Sequence, residues 1–209
     1  MTGARKAHWD HAFEAREETA LTWHQEVPQP SLELIETHGP GPGASVIDIG
    51  AGTARLVDAL LDRGYGDITL LDVSETALAA TRARLGPRAA RVAFIAADIT
   101  EWRPARRWDV WHDRAVMHFL VDEADQSAYR AALMAGTAAG SIVVLGTFSP
   151  AGPDRCSGLP VRQWTGAALL AFLGPERFDL LEARPHSHLT PRGTLQAFEY
   201  SVLRRKQAA

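Results

Sequence analysis

The stretch Ser45–Leu60, SVIDIGAGTARLVDAL, decides how this chain is read. Ser45 to Ile49 form an apolar run broken by a single acid, Asp48. Gly50 and Gly52 follow. From Thr53 to Arg63 the apolar residues recur at helical spacing, and Gly64 stands in the usual stop position. The pattern predicts a strand, a tight turn and a helix. Glycine at such a turn lets the backbone bend and lets a ligand approach it closely, because no Cβ stands in the way.

Upstream, Met1 to about Ala7 are expected to fray. His8–Glu18 reads as a short helix with Trp9 and Phe13 on one face. Pro28 is expected to open a second helix through PQPSLELIETH, since proline suits a first helical turn. The run GPGPG, residues 39–43, then breaks the chain. Downstream, strand-like and helical segments alternate. DITLLD is a strand, and Ser74 caps the helix ETALAATRARL, which Gly86 and Pro87 end. RVAFIAAD is the third strand, RWDVWHDRAV holds the fourth, DQSAYRAALMAG is helical, and SIVVLGTF is the fifth. A Gly/Pro-rich loop runs from Ser149 to about Arg162, longer than a simple connection needs. The helix TGAALLAFLG follows. RFDLLEARPHSHL and TLQAFEYSVLRR then read as two strands around the turn TPRG. The alternation predicts an α/β, doubly wound, mostly parallel seven-stranded sheet, closed by an antiparallel C-terminal strand pair. Residues 1–43 read as an N-terminal helical lid segment and residues 44–209 as the ligand-binding domain.

Composition narrows the function classes. The 209 residues are 46% hydrophobic and 22% charged, with a net charge of −3, ordinary for a globular chain. The acidic balance argues against a surface built for a nucleic-acid backbone. The single cysteine, Cys156, excludes an internal disulfide and suits a reducing, cytoplasmic setting. The first residues turn polar too soon for a secretory signal, and no apolar run approaches a membrane span.

In an open α/β sheet, ligands sit beyond the carboxyl ends of the strands, where the winding reverses. Two cofactor classes compete for the glycine turn. A dinucleotide site expects G-x-G-x-x-G, yet the third glycine position is Arg55. Asp48 would repel a pyrophosphate and would favour an ammonium group. S-adenosylmethionine (SAM) carries an ammonium, a carboxylate and a sulfonium. Gly50 and Gly52 would admit its amino-acid portion and ribose, and the following helix N-terminus would favour its carboxylate. Asp72, ending the second strand, offers two acceptor oxygens to the ribose hydroxyls. Asp98, after the third strand, can accept from the adenine amino group, with Ile99 against the ring. Ala51 and Val73 complete the expected cofactor wall, and Trp9, Phe13 and Trp23 would close over it and exclude water.

The segments VIDIGAGTARL, LLDVS, AADIT and WDVWHDRAVMHFL resemble the ordered motifs of class I SAM-dependent methyltransferases. The resemblance covers roughly Ala44 to Phe148, and the closing strand pair resembles that family's ending. One departure is Ala54, where many members have glycine. The resemblance implies a Rossmann-like fold, SAM as methyl donor and S-adenosylhomocysteine (SAH) as product. At the fourth strand end, amino-methylating nucleic-acid enzymes often carry N/D-P-P-Y/F. Here stand His112, Asp113 and Arg114, which argues against base methylation. The Asp-Arg pair is similar to one in thiopurine-type and related small-molecule methyltransferases.

These three residues are the candidate catalytic set. His112 or Asp113 would line the cofactor or take a proton, and Arg114 would hold an anionic substrate; alternatively Asp113 and Arg114 pair to brace the loop. His118 and Phe119 are expected to pack under the next helix, and His24 and Gln25 to face the pocket. His186 and His188 share one strand face, and His8 and His11 lie three apart, but no cluster suggests a metal. The expected activity is methyl transfer to a small-molecule acceptor. A protein-lysine methyltransferase of the same fold, an NAD(P)-linked oxidoreductase and a non-catalytic SAM-binding subunit are the alternatives.

Overall fold

A computed structural model describes residues 2–15 and 17–207. The helices are α1 (Thr2–Glu14), α2 (Ser31–His38), α3 (Leu56–Asp62), α4 (Glu75–Leu85), α5 (Glu123–Gly136) and α6 (Gly166–Leu173). The strands are β1 (Ser45–Ile49), β2 (Asp67–Asp72), β3 (Val92–Ala96), β4 (Trp108–Arg114), β5 (Thr137–Phe148), β6 (Arg155–Cys156), β7 (Leu159–Pro160), β8 (Phe178–Leu189) and β9 (Leu195–Arg205). Seven strands form one sheet in the order β3-β2-β1-β4-β5-β9-β8. β1 to β5 run parallel, and β9 and β8 close the sheet antiparallel. This is the doubly wound Rossmann-like sheet expected from the alternation of strands and helices.

Helices cover both faces of the sheet, so the central strands are buried on both sides and read as nearly unbroken apolar runs. Val46, Val110 and Val144 pack with Leu34 and Ile35 of α2 and with Leu56 and Leu60 of α3. Their neighbours Ile47, Trp111 and Val143 face the other way, onto Tyr129 and Leu133 of α5 and Leu169 of α6. Strand alternation therefore assigns each side chain to a face.

The N-terminal segment departs from expectation. Residues 2–7 are helical rather than frayed, and α1 ends at Glu14, not Glu18; Met1 lies outside the described residues. The helix is tied down by charge. Arg5 bonds Thr100, Asp98 and Asp125, and Lys6 reaches Glu75 at 3.3 Å. α2 begins at Ser31, because residues 28–30 form a turn whose carbonyls receive the Leu32 and Leu34 N–H groups. α3 begins at Leu56, because Thr53–Arg55 belong to the glycine turn. β5 starts four residues earlier than Ser141, and the long loop contains the small β6–β7 hairpin.

Candidate functional site

The winding reverses between β1 and β4. From β1 the chain moves outward through β2 and β3, and from β4 it moves the other way. The loops after β1 and β4 diverge and leave a crevice. A cavity of about 160 Å³ opens there. Its walls are Gly50–Gly52, Asp72, Val73, Asp98, Ile99, Arg114 and Val116 from the strand ends, with Trp9, Phe13, Trp23, Phe119, Phe148 and Phe198.

Gly50 and Gly52 both adopt positive φ, +67° and +51°. A Cβ at Gly50 would stand 2.0 Å from Val116 Cγ2, and one at Gly52 would stand 2.9 Å from Phe13 Cζ. The turn is pinned on every side. The Gly50 and Ala51 N–H groups donate to the Leu71 carbonyl, and the Gly52 N–H donates to Asp72 Oδ2 at 2.8 Å. Thr81 Oγ1 donates to the Gly52 carbonyl at 2.8 Å. Arg84 donates to the carbonyls of Thr53 and Ala54 at 2.6 and 2.9 Å. Sequence reading missed Thr81 and Arg84, since nothing in the α4 pattern separates them from ordinary helix positions.

Asp72 is buried, and its second oxygen accepts from the Ser74 N–H at 2.8 Å. Burial pushes its pKa up to about 6, against the opposing pull of the Ser74 and Gly52 hydrogen bonds. The folded chain thus holds this proton more tightly than the unfolded chain. The associated stability is full below about pH 4 and is lost as pH rises through 6. Asp98 accepts from the Thr100 N–H and hydroxyl at 2.9 and 2.7 Å, and Arg5 lies 3.3 Å from its other oxygen.

The β1–β4 register sets Asp48 beside His112 and Ile49 beside Asp113. Asp48 and His112 share a face, and their side chains meet at 2.6 Å. His112 Nε2 lies 2.8 Å from Ser31 Oγ of α2. With Asp48 ionised, His112 donates from Nδ1 and accepts the serine proton at Nε2. This buried chain does not border the main cavity. Asp48 and His112 line a smaller hollow of about 30 Å³, which shares Gly50, Ala54, Trp23 and Arg114 with the cavity.

Asp113, one residue on, faces the opposite side and lies outside both hollows. It is fully buried and accepts from the Val116 and Met117 N–H groups and from Tyr129 Oη at 2.6 Å. Burial raises its pKa to about 6. These contacts make it a brace for the loop, with Tyr129 rather than Arg114 as its side-chain partner. Tyr129→Phe should cost roughly 1–3 kcal/mol in urea denaturation, because a buried carboxyl loses a donor. A loss under about 0.5 kcal/mol would show that this contact does not hold the loop. Arg114, two residues beyond His112, does reach the cavity and donates to Gln25 Oε1 and the Trp23 carbonyl.

Trp9, Trp23 and Phe13 form an edge-on aromatic cluster; Trp9 stands 5.8 Å from Trp23 and 5.0 Å from Phe119. His24 and Gln25 border the smaller hollow. His118 lines the cavity rather than only packing beneath α5. His186 and His188 line neither hollow; His186 stands edge-on to Tyr200, and His188 Nε2 lies 2.8 Å from the Thr22 carbonyl. Cys156 lines the cavity, and burial pushes its thiol up. Among the described residues, no His/Cys/Asp/Glu group could hold a metal ion. Nor is any of their helices long and apolar enough to cross a membrane.

Together, the switch-point crevice, the glycine cradle and the acids near successive strand ends make a doubly wound domain whose crevice suits a nucleoside. Residues 46–136 match the methyltransferase domain family. The chain is 28% identical over 126 residues to the mouse eEF1A lysine and N-terminal methyltransferase. That match covers 59% of this chain and 18% of the mouse protein, so the chain spans under a fifth of that relative. Its fold is similar to that of an Anabaena variabilis SAM-dependent methyltransferase, with a TM-score of 0.75 and 14% identity, over 98% of this chain and 95% of that one. It is also similar to a Burkholderia thailandensis 1,6-didemethyltoxoflavin-N1-methyltransferase with bound 1,6-didemethyltoxoflavin and SAH. There the TM-score is 0.70 and the identity 20%, over 99% of this chain and 87% of that one. The match over residues 46–136 and the shared fold liken this chain to SAM-dependent methyltransferases.

Proposed function

We propose that this chain transfers a methyl group from SAM to a small-molecule acceptor. The observation that carries the reading is the set of carboxylates Asp48, Asp72 and Asp98 around the Gly50–Gly52 turn, each within two residues of the end of its own strand. The residues fit the cofactor, since a Cβ at either glycine would intrude on the cradle and the acids offer the acceptors a nucleoside needs. Asp72 holds the ribose hydroxyls and Asp98 the adenine amino group, with Val73 and Ile99 beside the rings. Asp48, backed by His112 and Ser31, takes the ammonium in the smaller hollow, which joins the cavity at Gly50 and Ala54. When bound, SAM supplies a methyl group already activated on its sulfonium. The chain's residues therefore align the acceptor and keep water out.

Residues 1–43 act as the lid. Trp9, Phe13 and Trp23 roof the cavity, and Arg5 ties α1 to Asp98 and Asp125. Arg5→Ala should lower the opening free energy of α1 by about 1 kcal/mol, as befits a partly exposed ion pair. Hydrogen exchange over residues 2–14 should quicken accordingly, and unchanged exchange would remove Arg5 from that role. The lone thiol suits a cytoplasmic setting.

A second reading, a protein-lysine acceptor, is favoured by the name of the mouse relative. The aromatic roof argues for a small acceptor, because a lysine needs an open groove to enter. Labelled SAM incubated with a cell lysate and purified protein separates the two. Label in the low-mass fraction supports the proposal, and label in protein supports the second reading. Tight SAM binding with label in neither would indicate a non-catalytic SAM-binding subunit.

A further inference from the structure

His118 is fully buried in the short turn of 3-10 helix after β4, and the residue borders the cavity. The Phe148 N–H donates to its Nδ1 at 3.3 Å, so Nδ1 carries no proton and the neutral ring bears it on Nε2. That Nε2 has no partner among the described residues. A buried N–H donor without an acceptor is costly, and one on a cavity wall is satisfied when a ligand supplies the acceptor. The ring is wedged between Phe119 and Phe148, with centroids 4.5 and 4.6 Å away, and Phe198 stands at 6.5 Å. Burial and the nearby Arg114 charge push its pKa down to about 3, so at neutral pH it stays a donor and does not become a cation.

The charged groups on the cavity wall are Arg5, Asp72, Asp98 and Arg114. Arg5 is paired with Asp98 and Asp125. Arg114 forms no ion pair among the described residues and bonds only neutral oxygens. With Asp72 given to the cofactor's ribose in the proposed pose, what remains for the acceptor is the aromatic faces, the unpaired Arg114 and the His118 N–H. An ammonium is repelled by the first charge and ignored by the donor. A flat anion satisfies both and stacks on the rings.

We infer that the methyl acceptor is a small planar acid of phenol or enol type, bound as its anion, with His118 Nε2–H donating to it and Arg114 balancing its charge. The inference rests on the methyltransferase reading and names that site's substrate class. The acceptor's proton is released to solvent before or during binding, so no side chain need remove it. His118 is a binding residue, not a base.

The test uses 4-nitrophenol, whose phenolate absorbs visible light, with the SAH-loaded protein; 4-nitrobenzylamine is the cationic counterpart. Bound 4-nitrophenol should ionise about tenfold more readily than free 4-nitrophenol. His118→Phe should weaken phenolate binding about five- to tenfold, and His118→Asn, which keeps an N–H donor, should recover part of that loss. Nitrogen NMR of wild-type His118 at neutral pH should show a protonated Nε2 and a bare Nδ1, a readout independent of any variant. SAH affinity is measured alongside by calorimetry. If SAH binds but 4-nitrophenol does not, or binds as the neutral phenol, the inference fails and the methyltransferase reading stands. Equal phenolate binding by His118→Phe, tighter binding of the amine, or a protonated Nδ1 overturns it in the same way. Absence of SAH binding overturns both.

Discussion

Asp72→Ala should weaken SAM binding by one to two orders of magnitude in calorimetry. The carboxylate is charged and wholly enclosed, and hydrogen bonds to such a group contribute about 1.5–3 kcal/mol. The loss has two sources. The ribose hydroxyls lose their acceptor, and the Gly52 and Ser74 N–H groups, at 2.8 Å each, lose theirs, which slackens the glycine turn. The raised pKa adds a signature of its own. Asp72 must be ionised to accept two hydroxyl protons, and in the empty protein it is half protonated at about pH 6. Wild-type affinity should therefore fall as pH drops through 6, approaching tenfold per unit below it. The alanine variant should lack that component. Wild-type affinity flat from pH 7.5 to 5, or unchanged affinity in the variant, would take Asp72 out of the ribose role.

Gly50→Ala should destabilise the fold by about 2–4 kcal/mol in thermal or urea unfolding. Left-handed backbone costs an L-residue roughly 1–2 kcal/mol, and overpacking adds a comparable amount. The obstruction has a named source, Val116 Cγ2 at 2.0 Å from the added methyl. Val116→Ala in the same background should return the packing part and leave the backbone part. A double-mutant cycle measures both. Additive effects would mean that Val116 is not the obstacle. A single-variant cost below about 0.5 kcal/mol would mean that the turn does not require glycine.

The sheet was legible because the cue was physical and repeated. Buried strands such as VIDI and SIVVL must be apolar on both faces, and helices must intervene between parallel partners. The acids at the strand ends stood out for the same reason, since a carboxylate ending an apolar run is rarely incidental. The fourth strand was misjudged on parity. Alternation sends His112 and Arg114 to one side and Asp113 to the other, so the three never formed one constellation. That cue lay in WDVWHDR itself. Ser31, Thr81, Arg84 and Arg5 were not legible, because each acts across 29 to 120 positions of sequence through pairings only the fold creates. His118 was visible as a residue, but its free Nε2 follows from the Phe148 N–H thirty positions away.

The antiparallel closing strand carries the chain back down the sheet. Arg205 ends beside Thr137, at the rim opposite the crevice, whereas Thr2–Glu14 crosses the crevice mouth. A dye or other cargo attached near Arg205 hangs clear of traffic into the site, and the same cargo on α1 crowds the doorway.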